Sequence, residues 1–192
     1  RQLLVLMWLF YITGFSFFSY PFIASKYHEI QQRTIVRQYQ KEVVDFDQET
    51  LRQIKDQLNK SNQTITKDQK KMNTEDFAIE AERNFEEETG SLNNKEEVGD
   101  VIAVLEVPKI HLKLPVYYGT NTKQISQGAG VMKETSLPIG GKGTHSVITS
   151  HRGLPTAKLF TDLPKLSLND NFFIKVANET HAYEVDQIKV IE

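Results

Sequence analysis

The 192-residue chain contains no cysteine, one tryptophan and six prolines. The absence of cysteine excludes disulfides, thiolate zinc sites and a cysteine nucleophile within these residues. Basic residues are not in excess either, with 23 Lys and Arg against 25 Asp and Glu. Because nucleic-acid binding relies on a surplus of positive charge, we expect no nucleic-acid partner.

Sequence motifs that hold nucleotides, cofactors or metals are also missing. The chain has no Gly-rich phosphate loop, EF-hand loop or HExxH pattern, and no internal repeat of about 20–50 residues. Five histidines are present, but His145 and His151 have neither the helical nor the strand spacing of paired metal ligands. We therefore expect no cofactor and no metal.

A long uncharged run opens the chain. No residue from Leu3 to Ile23 is charged, and these 21 residues would form a helix of roughly 30 Å, the thickness of a bilayer's hydrocarbon core. Residues 1–23 are therefore predicted to form a single-pass membrane anchor that leaves the rest of the chain outside the cell. A signal peptide, whose apolar region spans only about 7–15 residues, and a buried core helix are the alternatives. Pro21 is expected to kink or end the helix.

Residues 24–74 are predicted to form a helical arm. Apolar residues recur at helical spacing from Val36 to Phe46 and again from Leu51 to Leu58. The polar run Asn59–Thr64 breaks this period and predicts a loop, because its side chains compete for backbone hydrogen bonds. One or two amphipathic helices are therefore expected beside the membrane.

Residues 75–98 are predicted to form an acidic linker or a lid. From Glu75 to Glu97 the chain has nine acidic residues and two basic ones. Few large apolar side chains interrupt them, so the segment cannot bury much of its own surface.

From residue 99 onward the hydrophobic period is that of β-strands, and the fold class is predicted to be mostly β, an antiparallel sheet or barrel over residues 99–192. Short helical excursions are expected around Lys123–Gln127 and Thr156–Leu163. The chain begins at Arg1 and its last alternating run stops at Glu192, so the barrel is expected to be incomplete. The predicted strands are Val101–Val107, Leu112–Tyr117, His145–Thr149, Phe172–Val176 and Tyr183–Ile191.

One histidine occupies a position suited to chemistry. The β-branched run Val147–Thr149 is followed by Ser150 and His151, and the chain then turns through Arg152–Pro155. A side chain at the end of a strand can face a groove while the sheet fixes its backbone. Its position alone does not decide whether His151 is a surface residue or a catalytic residue.

An ordered series of segments from about Gly99 to Glu192 resembles the Gram-positive sortases, specifically the class C type that assembles pili. The most specific part is the run HRGLPTAKLFTD that starts at His151. The other segments are IAVLEVPKI at 102–110, LPVYYGT at 114–120, GAG at 128–130, TSLP at 135–138 and THSVIT at 144–149.

The resemblance implies a membrane-anchored cysteine transpeptidase with an eight-stranded β-barrel. In such enzymes a thiolate attacks the Thr–Gly bond of an LPxTG-like sorting signal, and a lysine of the next pilin subunit converts the thioacyl intermediate into an isopeptide bond. His151 is similar in position to the family's catalytic histidine, which acts as general acid and then general base. The implied partners are sorting-signal peptides, pilin subunits and the membrane.

The family's cysteine and oxyanion-stabilising arginine are expected to come from strands beyond this sequence. The 192 residues alone are therefore expected to be inactive, because a catalytic set that lacks a reacting member keeps little of its acceleration. Two readings stay open beside the pilus type. One is a membrane-tethered, non-catalytic peptide-binding or assembly module, and the other is a housekeeping sortase that attaches proteins to the cell wall.

Two features depart from the family's pattern. Ser150 stands where glycine is usual. Class C sortases often carry a lid with an Asp-Pro-aromatic anchor, and the corresponding residues here, Glu75, Asp76 and Phe77, lack the proline. The resemblance implies that Phe77 fills an apolar pocket while Glu75 or Asp76 lies near the catalytic cation. An unattached acidic linker is the alternative.

Overall fold

The computed structural model describes residues 1–69 and 100–190, without the side chains of 67–69. The suspected lid residues Glu75, Asp76 and Phe77 lie outside the described residues. Three α-helices are described: α1 (Gln2–Asp45), α2 (Gln48–Gln69) and α3 (Thr122–Gln127). The strands are β1 (Val101–Val107), β2 (Leu112–Tyr118), β3 (Ala129–Val131), β4 (Ile148–Thr149), β5 (Asn171–Val176) and β6 (Glu179–Glu184), with short 3₁₀ helices at Pro108–Ile110 and Leu159–Lys165.

The long helix α1 carries the uncharged run and continues through Pro21. Of the two expectations for Pro21, an end of the helix is therefore wrong, because an apolar helix tolerates the loss of one backbone hydrogen bond, and a kink stays a prediction. By length and composition α1 could cross a membrane, and its most apolar window has 0% of its residues buried. A core helix would bury that window, so the described structure gives this alternative no support.

The second helix runs through Asn59–Thr64, where the sequence predicts a loop. That prediction is wrong because the polar side chains find partners. Asn62 is 5% exposed. Its Nδ2 donates to the Leu137 carbonyl at 3.0 Å, and its Oδ1 accepts from the Leu137 N–H at 2.6 Å. The Thr64 hydroxyl donates to the Lys60 carbonyl inside the helix at 3.2 Å, so neither residue favours a break.

The strands form one sheet in the order β4-β3-β2-β1-β5-β6. β2 and β3 are parallel and joined through α3, whereas all other neighbours are antiparallel. The mostly β fold class is confirmed, and β1 has its predicted bounds. The prediction missed β3, and it made the strand after Gly143 too long, since only Ile148–Thr149 pairs.

The last predicted strand, Tyr183–Ile191, is also wrong in its bounds. The Val176–Glu179 pair closes a two-residue turn in which Ala177 has φ +49°. That turn fixes the register, so β6 begins at Glu179 and ends at Glu184. The turn lacks the glycine that marks most hairpins in a sequence, which is why it was not predicted.

The helical arm packs against the sheet. The Tyr39 hydroxyl donates to the Ile102 carbonyl at 3.1 Å and accepts from the Ala177 N–H at 2.9 Å, which links α1 to β1 and to the β5–β6 turn. Burial raises the pKa of Tyr39, and the bond from Ala177 partly offsets that shift. Lys55 of α2 also pairs with Glu179. Both helices are therefore fixed to the β-domain.

Candidate active site

His151 follows β4 and lies two residues beyond the end of the strand. β4 is held by β3 through the pairs Gly130–Thr149 and Val131–Ile148. The last paired residue therefore lies two positions before His151, and the sheet restricts where its backbone can go.

Ser150 joins this strand end to α3. Its hydroxyl donates to the Gly128 carbonyl at 2.5 Å and lies 3.3 Å from the Ile125 carbonyl. A glycine at position 150 could not form this bond. The departure from the family's usual glycine therefore adds a link beside His151 instead of loosening the turn.

The loop after His151 closes on itself. The His151 carbonyl accepts from the Phe160 N–H at 3.0 Å, and the Gly153 N–H donates to the Thr161 hydroxyl at 3.1 Å. Gly153 has φ +83°, a conformation that a residue with a side chain rarely adopts. Leu159 and Phe160 belong to the hydrophobic core, so their side chains fix the loop to the domain.

Asp162 ends this segment and carries two ion pairs. Lys158 Nζ lies 2.6 Å from one of its carboxylate oxygens and Lys165 Nζ lies 2.8 Å from the other. The hydrogen bond from Lys158, followed by that from Lys165, lowers the pKa of Asp162. Sequence reasoning missed this clamp, although the spacing of the two lysines, four residues before and three after, was the available signal.

The His151 side chain is half-buried, and none of the residues at 1–69 and 100–190 forms a hydrogen bond or ion pair with its imidazole. Arg152 beside it is exposed. Two large cavities lie elsewhere, one of about 720 Å³ between the helical arm and the sheet and one of about 520 Å³ between α1 and β2. His151 lines neither of them.

Among residues 1–69 and 100–190, no second reacting group is hydrogen-bonded or ion-paired to His151. Within the described ranges no cluster of three or more His, Cys, Asp or Glu residues could hold a metal ion. Glu75, Asp76 and Phe77 lie outside the described ranges. Their role as a lid stays a prediction.

Comparison with known proteins assigns the family. A family model described as "Sortase domain" matches residues 105–192. A crystal structure of sortase C1 from Streptococcus agalactiae is 33% identical, covers 82% of this chain, is itself covered to 77%, and superimposes with a TM-score of 0.63. The chain belongs to the sortase family.

Two further solved sortases point to the same class. A pilus-related sortase C of Group B Streptococcus is 31% identical over 78% of this chain and 73% of its own, with a TM-score of 0.59. Sortase C of Clostridium perfringens, solved with the C-terminal cell wall sorting motif, is 31% identical over 81% of this chain and 76% of its own, with a TM-score of 0.62. The predicted resemblance to class C sortases is confirmed.

This sortase chain spans about half the length of the curated relatives that it matches. Two sortases that are 26% and 25% identical to it are covered to 46% and 53% of their length.

Proposed function

We propose that this chain supplies the acid–base histidine, His151, to a cysteine transpeptidase that cleaves LPxTG-like sorting signals and joins pilin subunits through lysine isopeptide bonds. The observation that carries the proposal is the position of His151. It lies just after β4 on a loop closed by one backbone–backbone hydrogen bond and one bond to the Thr161 hydroxyl, with an imidazole that no described residue engages. The solved relatives support the substrate class, because one was crystallised with a sorting motif and another is pilus-related.

The chemistry assigns two proton transfers to the imidazole. His151 as an imidazolium donates a proton to the amine that leaves when the Thr–Gly bond breaks. As a neutral imidazole it then accepts a proton from the lysine amine that attacks the thioacyl carbon. The 192 residues contain no cysteine, so the thiol must be supplied by a polypeptide segment outside them.

The remaining parts of the proposal concern the chain's organisation. Residues 1–23 anchor the protein in the cell membrane with the β-domain outside, and 24–74 form the arm. Residues 75–98 form the linker or lid, with Glu75, Asp76 and Phe77 over the site. The sortase β-domain occupies 99–192. The exposed apolar face of α1 supports the anchor.

A non-catalytic peptide-binding module is the second candidate, and the absence of cysteine within the 192 residues favours it. Sequencing the complete reading frame separates the two. A cysteine codon outside the segment that encodes these residues supports the transpeptidase, whereas a reading frame without any cysteine supports the module.

The activity itself is tested on the product of the complete reading frame. His151→Ala is expected to lower cleavage of an LPxTG-like peptide by at least about 100-fold. His145→Ala is the matched control, because His145 is an exposed histidine in the segment just before β4. Turnover by the His151→Ala protein at the rate of the His145→Ala protein would refute the assignment.

A further inference from the structure

A basic cavity of about 520 Å³ lies between α1 and the corner of the domain where β2 begins. α1 contributes the residues from Ser25 to Gln40 that line one wall, and Lys113 and Lys158 line the other. At about 1.5 Å per residue, that wall of α1 extends over roughly 22 Å. The cavity is therefore elongated, and it is larger than a single phosphate group needs.

Its lining carries an excess of positive charge. Arg33, Arg37, Lys113 and Lys158 are cationic, and Glu29 is the acidic residue among the lining residues. Arg33 pairs with Glu29 at 2.5 Å, whereas Arg37 pairs with none of the residues that the structure describes.

The two lysines have acidic partners just outside the cavity, and those partners are shared. Lys113 Nζ lies 3.8 Å from the Glu106 carboxylate, which Lys175 holds more closely at 2.6 Å. Asp162, the partner of Lys158, is also bound by Lys165. The wall formed by Lys113 and Lys158 therefore retains positive charge that can bind an anion.

A buried amide in the same cavity has no partner. Gln32 is 8% exposed and lines the cavity, and its Nε2 donates to no residue in the described part of the chain. Buried N–H groups nearly always have an acceptor, because burial without one is costly. A ligand oxygen in the cavity would supply that acceptor beside the Arg33 and Arg37 guanidinium groups.

The location of the cavity limits which anion can reach it. Ser25 at its lower end follows the uncharged run by two residues, at about the depth of lipid headgroups. Gln32 lies about 14 Å beyond Ile23 along the helix, whereas a simple headgroup layer is roughly 5–7 Å deep. Only a headgroup that extends well above the membrane surface reaches both ends.

We infer that this cavity binds a membrane lipid whose headgroup is an extended chain of phosphodiester units. The lower end admits the lipid-proximal part, and Gln32, Arg37 and Lys113 bind the phosphates above it through charge-assisted hydrogen bonds. The inference rests on the proposed insertion of α1 in the membrane. It assigns the arm a role in holding the β-domain close to the lipid surface.

The test measures binding by the detergent-solubilised full chain to a lipid-anchored poly(glycerol phosphate), with microscale thermophoresis as the readout. Arg37→Gln and Lys113→Gln are each expected to weaken binding by about tenfold. Gln32→Leu, which keeps the side chain's size, should also weaken it. Lys41→Gln removes an exposed cation from α1 outside the cavity and should leave binding unchanged. Circular dichroism verifies that each variant is folded.

Three results would overturn the inference. The first is equal weakening by Lys41→Gln and Arg37→Gln, which would indicate general charge attraction. The second is equally tight binding of phosphatidylglycerol, whose headgroup is short. The third is full displacement of the lipid by millimolar inorganic phosphate, which would indicate a site for free phosphate. Failure of the membrane anchor is detected separately, as release of the chain from membranes by alkaline carbonate.

Discussion

The Ser150 hydroxyl donates a hydrogen bond to the Gly128 carbonyl at 2.5 Å, and this bond ties the residue before His151 to the end of α3. A Cβ on Gly128 would lie 2.4 Å from the Pro115 carbonyl oxygen, so the backbone at position 128 is held close to β2. The position of His151 thus depends on contacts from α3 and β2 as well as on β4.

Ser150→Ala is expected to lower the free energy of unfolding by about 1 kcal/mol, because it removes one hydrogen bond from a half-buried site. Thermal unfolding followed by circular dichroism measures the change. Ser126→Ala is the control, since the Ser126 hydroxyl bonds only within its own helix, to the Lys123 carbonyl. Equal melting temperatures for the two variants would show that the Ser150 bond contributes nothing beyond a local contact.

Asn62→Ala should cost more, about 2–4 kcal/mol, because it leaves both the N–H and the carbonyl of Leu137 without the partner that they have in the fold. Urea unfolding gives the free energy, and the exposed Asn59→Ala on the same helix serves as control. If the Asn62→Ala protein matched that control, the docking of α2 on the β-domain would not depend on this residue.

The raised pKa of Tyr117 predicts that the folded protein loses stability at high pH. Burial raises its pKa to about 12, compared with about 10 for a free tyrosine. The folded state favours the neutral phenol, so this contribution to stability is complete below about pH 10 and is lost as the pH rises toward 12. Absorbance titration of the wild type and of Tyr117→Phe isolates this group among the seven tyrosines. Ionisation of Tyr117 near pH 10 in the folded protein would contradict the expectation.

A lid formed by Glu75, Asp76 and Phe77 would slow the reaction of the catalytic thiol with reagents in the complete protein. Phe77→Ala should speed the reaction of the catalytic thiol with a small alkylating reagent, because the aromatic ring would no longer cover the site. Phe85→Ala, in the same acidic segment, is the matched control. An alkylation rate that is the same in the wild type and both variants would leave residues 75–98 as a linker.

Strand β1 could be predicted from sequence because it is an apolar run rich in β-branched residues that Pro108 ends. The bounds of β6 could not, since its turn at Ala177 has a positive φ without a glycine. The helical state of Asn59–Thr64 depends on Leu137, a partner 75 residues from Asn62. Local patterns do not report contacts of that range.

The sequence predicted one residue of the candidate site, His151, but not the contacts around it. The motif that begins at His151 predicts the histidine as catalytic, but nothing in the sequence paired Ser150 with Gly128. The two lysines on Asp162 were visible only as a spacing. The lid residues Glu75, Asp76 and Phe77 remain a prediction from resemblance.

Mass spectrometry of the acyl intermediate tests directly whether His151 is the acid–base catalyst. The complete protein is mixed with an LPxTG-like peptide in the absence of a lysine acceptor. We expect a covalent peptide adduct on a cysteine outside residues 1–192 in the wild type and in His145→Ala, and a rate of adduct formation at least about 100-fold lower in His151→Ala. An adduct that forms equally fast in all three proteins would contradict the assignment of His151 as the acid–base catalyst.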